Sequence, residues 1–96
     1  MKLEWDTFAI ADREHIYNYI EADNPRAAVE IDLRFDECVR RLADFPNSGR
    51  PGRVAGTREL IVAGTPYIIP YRVFEDRVTL LRVLHGAQLW PDQFSG

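Results

Sequence analysis

The stretch "YIIPYRVFEDRVTLLRVLHG", residues Tyr67–Gly86, decides the fold class. It contains two runs rich in β-branched and aromatic residues, separated by the short polar segment "EDR", which is the pattern of a β-hairpin. We predict strands over Tyr67–Phe74 and Val78–His85. Pro70 has no N–H to donate to a sheet, so we also predict a bulge or an unpaired position in the middle of the first strand.

Side chains alternate between the two faces of a strand, which assigns a face to each residue of the second run. Leu81 and Val83 share one face, and we expect them to face the predicted helices. Arg82 then points to the opposite, open face, and His85 ends the strand at its rim.

The segments before the hairpin have helical periodicity. Apolar residues recur at steps of three and four over Pro25–Phe45, which predicts a helix. Asn24 is a suitable N-cap for it, and a proline is well tolerated at the first helical position. A weaker apolar stripe predicts another helix over Phe8–Ala22, and the alternating segment Lys2–Trp5 predicts a first strand.

The remaining segments complete an α+β fold. Pro46–Thr57 is rich in proline and glycine and predicts a loop, Arg58–Ala63 predicts a strand, and we expect the tail Gly86–Gly96 to be anchored by Trp90 or Phe94. The order is therefore βααβββ in one domain, residues 1–96. We expect both helices to pack on one face of a small, largely antiparallel sheet, leaving a concave, partly open face.

Composition is that of a soluble globular chain, with 46% hydrophobic and 28% charged residues. The net charge is −3, unevenly divided: residues 1–48 carry about −5 and residues 49–96 about +2, and eleven of the twelve basic residues are arginine. A lone cysteine, Cys38, and the lack of a long apolar segment predict a cytoplasmic protein with no membrane partner.

Common catalytic motifs are absent, because the chain has no phosphate-binding glycine loop, no CxxC, no HExxH and no GxSxG. With only two histidines, we predict no metal site and no cofactor. Each polar residue near the strands also has an ordinary structural interpretation. Arg82 could pair with Glu59 or Glu75, and Trp90 could simply anchor the tail.

Three segments in order, "FPNSGRPGRVAGTREL", "YIIPYRV" and "RVLHGAQLWP", follow two predicted helices and resemble the RelE/ParE family over nearly the whole chain. The resemblance implies the toxin of a bacterial type II toxin–antitoxin system, of the kind that includes plasmid stabilisation systems. Such a toxin inhibits growth and is neutralised in a heteromeric complex by a cognate antitoxin.

The family has two mechanisms. RelE-like members are mRNA interferases, endoribonucleases that cleave mRNA on the ribosome without a metal, whereas ParE-like members inhibit DNA gyrase and are not enzymes. For an mRNA interferase, the resemblance implies that the catalytic groups are Arg58, Tyr67, Arg82 and His85. It implies that the substrate-binding groups are Arg50, Arg53 and Trp90.

Two departures keep the alternatives open. Ile68 and Ala87 stand where ribosome-dependent nucleases often have basic residues. The sequence therefore allows an mRNA interferase, a gyrase inhibitor, or a degenerate toxin that acts mainly in the antitoxin complex and in autoregulation of its operon.

Overall fold

The computed structural model describes residues 1–94, so Ser95 and Gly96 of the predicted tail and domain lie outside the described residues. The described elements run in the following order: β1 Lys2–Trp5, α1 Thr7–Glu21, α2 Pro25–Arg40, a 3₁₀ turn Arg41–Ala43, β2 Arg50–Pro51, β3 Arg58–Ile61, β4 Tyr67–Phe74, β5 Arg77–Leu80 and β6 Leu84–His85.

The second helix begins at Pro25 as predicted, and the first begins at Thr7, one residue before the predicted Phe8. A carboxylate oxygen of Asp6 accepts the Phe8 N–H at 2.9 Å before α1. The side-chain oxygen of Asn24 accepts the Ala27 N–H at 3.2 Å, with a proline next in the chain. Each cap satisfies a backbone donor that has no partner inside the helix. The second helix is shorter than predicted, because the chain tightens into the 3₁₀ turn before it reaches Phe45.

The sheet has the strand order β1-β5-β4-β3-β2, and β6 pairs with the beginning of β4. The β1–β5 pair is parallel and the other pairs are antiparallel. Both helices lie on one face of the sheet, which confirms the predicted α+β class. No helix among residues 1–94 is both long enough and apolar enough to cross a bilayer.

The main core lies between the helices and the sheet. It contains Phe35, Val39, Leu42, Leu60, Val62, Ile69, Tyr71, Val78, Leu80 and Val83. A second, smaller cluster covers part of the opposite sheet face and contains Val54, Leu81, Leu84 and Phe94, with Trp90 packed against it. The predicted open face is therefore only partly open. The prediction that Leu81 faces the helices is wrong, whereas Val83 does face them.

A bulge opposite Pro70 explains why Leu81 points away from the helices. Tyr71 pairs with Leu80 and Ile68 pairs with Leu84. Between these two pairs lie two residues of β4 but three residues of the segment that follows Leu80, so that segment holds one extra residue. The Leu81 N–H donates to the Pro70 carbonyl at 2.9 Å, but proline has no N–H to donate in return.

The bulge divides the predicted strand Val78–His85 into β5 and β6 and shifts the alternation of faces by one residue. Leu81 and Leu84 consequently share the face away from the helices, and Val83 lies in the main core. The prediction of one continuous strand is wrong, while the predicted irregularity at Pro70 is confirmed.

An arginine ties the two helices together. The Arg13 guanidinium bonds Asp32 at 3.0 Å and Asp36 at 2.8 Å, both on α2. It also lies over the Trp5 ring, 4.6 Å from the ring centroid, as a cation–π contact. Arg13 of α1 therefore links this helix to α2 and to Trp5 of β1.

The buried Tyr71 hydroxyl holds the loop that follows the helices. It accepts the Gly49 N–H at 2.9 Å and donates to the Pro46 carbonyl at 2.8 Å. A Cβ atom at Gly49 would lie 2.5 Å from this hydroxyl, so only glycine allows the approach. Burial raises the pKa of Tyr71, which keeps the hydroxyl a donor.

We predict that Tyr71→Phe lowers the free energy of unfolding by about 1–3 kcal/mol, because it leaves a buried N–H and a carbonyl without their partner. Urea denaturation measures the change. Tyr19→Phe is the matched control, since that side chain is 79% exposed. Equal stability of the two variants would contradict the assigned role of the hydroxyl.

Candidate functional site

The structure brings two of the predicted catalytic residues together. Tyr67 and His85 are register partners on β4 and β6, and their rings meet edge to face with centroids 5.8 Å apart. Tyr67 also packs edge to face on Phe35 of α2, at 5.7 Å. Burial, followed by the nearby Tyr19, raises the pKa of the Tyr67 hydroxyl. The pair lies on the helix side of the sheet, at the end of β6.

The turn after β6 orients the His85 ring. His85 Nδ1 accepts the Ala87 N–H at 3.0 Å, so in the neutral ring the proton lies on Nε2, which can donate a hydrogen bond. The Gln88 side chain accepts the His85 N–H at 2.7 Å. The indole N–H of Trp90 donates to the His85 carbonyl at 3.2 Å, which fixes the start of the tail.

Arg82 is held by a carboxylate of α1. Its Nε and Nη2 donate to the two oxygens of Asp12 at 2.6 and 3.0 Å, and the Val83 N–H adds a bond of 2.9 Å to the same carboxylate. These hydrogen bonds raise the pKa of Arg82 above its usual value. The prediction that Arg82 points to the open face is wrong, because the bulge turns this segment toward α1.

Arg58 begins β3 and lies away from the Tyr67–His85 pair. It pairs in register with Tyr71, four residues along β4 from Tyr67, which corresponds to roughly 13 Å of strand. Its Nη1 donates to the carbonyls of Gly49 and Asn47 at 2.8 and 3.3 Å. Arg58 thus supports the same loop as the Tyr71 hydroxyl and is separated from the Tyr67–His85 pair.

The predicted binding residues Arg50, Arg53 and Trp90 do come together, around the buried Glu59, and we call these four residues the Glu59 cluster. Glu59 is only 2% exposed. Arg50 donates two bonds to one of its oxygens at 3.0 and 2.9 Å. Arg53 donates to the other oxygen through its backbone N–H at 2.8 Å and its side chain at 3.2 Å.

Stacking completes the cluster. The Arg53 guanidinium lies over the Trp90 ring at 3.6 Å from the centroid, a cation–π contact. Burial acts to raise the pKa of Glu59, but the hydrogen bonds from Arg53 and Arg50 outweigh it and hold the pKa below its usual value. The cluster therefore fixes the loop and the tail on the sheet through a single carboxylate.

Two of the acids that organise these groups, Asp12 and Glu59, were not predicted from the sequence as site residues. Asp12 lies three residues after the buried Ala9, and side chains at i and i+3 share a helix face, which is the signal that could have found it. Glu59 is a carboxylate inside an apolar strand that follows two loop arginines. Within residues 1–94, no three His, Cys, Asp or Glu side chains are grouped closely enough to hold a metal ion.

A family model for the ParE toxin of the type II toxin–antitoxin system parDE matches residues 3–90. The chain belongs to this ParE toxin family. The assignment agrees with the predicted RelE/ParE resemblance and makes the protein the toxin of a type II toxin–antitoxin system.

Individual relatives agree with the family. The chain is 46% identical to the putative toxin Y4kP of Sinorhizobium fredii over 90 residues, which cover 94% of this chain and 93% of that protein. It is 38% identical to toxin RelE2 of Caulobacter vibrioides, covering 88% and 94% of the two chains. A solved structure of the chromosomal ParDE system from P. aeruginosa superimposes with a TM-score of 0.81 at 30% identity, over 88% of this chain and 95% of that one.

For this ParE-family toxin, we predict that Glu59→Gln lowers the free energy of unfolding by about 2 kcal/mol near neutral pH, because charge-assisted hydrogen bonds to a buried carboxylate are lost. The folded-state pKa is depressed, so the stabilisation is fully present above the unfolded-state value of about 4.3 and is lost as the pH falls through the lower folded-state value.

Urea denaturation of both proteins across that acidic range measures the effect, and the difference should shrink as the pH falls. Glu37→Gln is the control, since that carboxylate is exposed on α2. A difference that stays constant with pH would show that the charge of Glu59 is not what stabilises the loop.

A double-mutant cycle tests the Arg82–Asp12 pair. We predict that Arg82→Ala and Asp12→Ala are coupled by about 1–3 kcal/mol, because the pair is partly buried and doubly hydrogen-bonded. The Arg77–Glu4 pair is the matched control: it is half-exposed, with its atoms 3.6 Å apart, and should show a coupling of only about 0–1 kcal/mol. Additive effects at Arg82 and Asp12 would refute the interaction.

Proposed function

We propose that this ParE-family toxin arrests growth by inhibiting DNA gyrase without catalysing a reaction, and that a cognate antitoxin neutralises it. The observation that carries the proposal is the Arg82–Asp12 pair. The arginine expected to meet a phosphate uses two of its donors on a carboxylate of its own chain.

Cleavage of RNA by an internal 2′-hydroxyl needs positive charge beside the phosphorus and a group that moves a proton. Here the predicted cations are dispersed. Arg82 is paired with Asp12, and Arg58 is about 13 Å along the sheet from the Tyr67–His85 pair. The net charge of −3 also opposes contact with ribosomal RNA. These features favour a toxin that works by binding a protein.

A second candidate function is mRNA cleavage, and one contact favours it. The Tyr67–His85 pair combines an aromatic ring with an imidazole whose Nε2 can donate a hydrogen bond to a bound phosphate. Such a site would need cationic groups from elsewhere, for example from the ribosome itself.

The proposed partner in the resting cell is an antitoxin. The matching family and the P. aeruginosa structure both belong to two-component toxin–antitoxin systems. We extend this to a heteromeric complex of the present chain with its own antitoxin, in which toxicity is switched off until the antitoxin is removed.

Induction without antitoxin, followed by two parallel assays, tests the mechanism. We expect the purified toxin to inhibit gyrase supercoiling, and we expect primer extension to find no new mRNA ends during growth arrest. His85→Ala and Tyr67→Phe should keep full toxicity, because the proposed function gives neither side chain a catalytic step.

The contrary result is equally specific. New mRNA ends that appear with the wild type and disappear with His85→Ala, while supercoiling is unaffected, would identify an interferase. Normal growth after induction, with the protein folded by circular dichroism, would identify a degenerate toxin.

A further inference from the structure

The far end of the sheet face opposite the helices carries an unusual set of side chains. Arg72 of β4 lies opposite Thr79 of β5, and Phe74 lies opposite Arg77. All four point away from the helices, because the residues between them, such as Val78, lie in the main core. We call these four residues the arginine cleft. Diagonal neighbours on a sheet are about 7–8 Å apart, so both guanidinium groups can reach one small anion.

The arginine cleft is not covered by the rest of the described chain, residues 1–94. The second apolar cluster and its loop extend only as far as Leu81 and Gly56, which line one wall of an open cleft of about 450 Å³. Phe74 is 71% exposed on this surface. An exposed aromatic ring beside charged groups is a common composition for a protein-binding surface.

One cation of the cleft, Arg77, is available for exchange. Its side chain is half-exposed and meets Glu4 of β1 with its atoms 3.6 Å apart. A surface pair of this kind contributes only about 0–1 kcal/mol. A carboxylate brought by a partner can therefore replace Glu4 at little cost, and the planar guanidinium can bind it with two parallel bonds.

The surrounding charges favour a protein over a nucleic acid. Glu75 and Asp76 form the turn between Phe74 and Arg77, and Glu4 adds a third carboxylate. The successive phosphates of DNA or RNA would be repelled by these acids and by the net charge of −3. A segment with a single carboxylate next to an apolar side chain carries less negative charge toward these acids and can meet Arg77 and Phe74.

We propose that the arginine cleft docks a protein segment with a carboxylate beside an apolar residue, supplied by the toxin's target. Only the identity of that target, DNA gyrase, rests on the proposed function. A small charged surface favours rapid and specific association. Stable neutralisation by an antitoxin requires a larger apolar contact, so the target is the better match.

The test compares Arg77→Ala combined with Phe74→Ala against the matched control Arg26→Ala, which removes an exposed arginine from α2. Surface plasmon resonance measures binding of each full-length toxin to immobilised gyrase holoenzyme and to purified antitoxin. The double variant should bind gyrase about tenfold more weakly or worse. Its antitoxin affinity and melting temperature should match those of the control.

Growth arrest after induction gives a readout that does not depend on the target's identity. If the double variant no longer arrests growth but keeps its antitoxin affinity, the docking surface is supported. Failure of the wild-type toxin to inhibit gyrase would refute only the proposed function. Three results would overturn the inference: toxicity equal to that of Arg26→Ala, a parallel loss of antitoxin binding, or wild-type binding to a duplex DNA probe that the double variant loses.

Discussion

Pro70 imposes the constraint on which the end of the sheet depends. It lies inside β4, and its carbonyl accepts the Leu81 N–H. Because proline has no N–H, it cannot donate a hydrogen bond back to the neighbouring segment. The neighbouring segment takes up one extra residue at this point. The result is a change of face that places Val83 over the main core and His85 beside Tyr67.

Carboxylates decide what the arginines of this chain can do. Asp12 holds Arg82, and Glu59 holds a pair of loop arginines against the sheet. A similar arrangement on α2 binds Arg13 between the helices. An arginine-rich sequence suggested an anion-binding surface, but much of that positive charge is used in ion pairs within the protein. The weakly held Arg77 lies at the far end of the open sheet face, where a partner can reach it.

The fold was predictable to the extent that it depends on local patterns. The helical periodicity located both helices, the Asn24 cap marked the start of the second, and the strand Tyr67–Phe74 has the predicted bounds. The division of Val78–His85 was not predictable in detail, because alternation alone cannot say where a bulge adds its residue. Of the candidate site, the hairpin predicts that Tyr67 lies near the end of the last strand, but the bulge is needed to pair it with His85, and the separation of Arg58 from them requires the observed register.

The sequence by itself determined the order of the main elements, the α+β class and the family, because periodicity, turn residues and motifs are properties of neighbouring residues; it missed the short strand Arg50–Pro51, which it assigned to a loop. Only the tertiary structure decided which charges remain available. Arg82 and Asp12 are 70 residues apart in the chain, and no local pattern links them. They meet because the bulge opposite Pro70 turns the last strands toward α1. Because of this contact, Arg82 stabilises the fold and is not left available to act on a substrate.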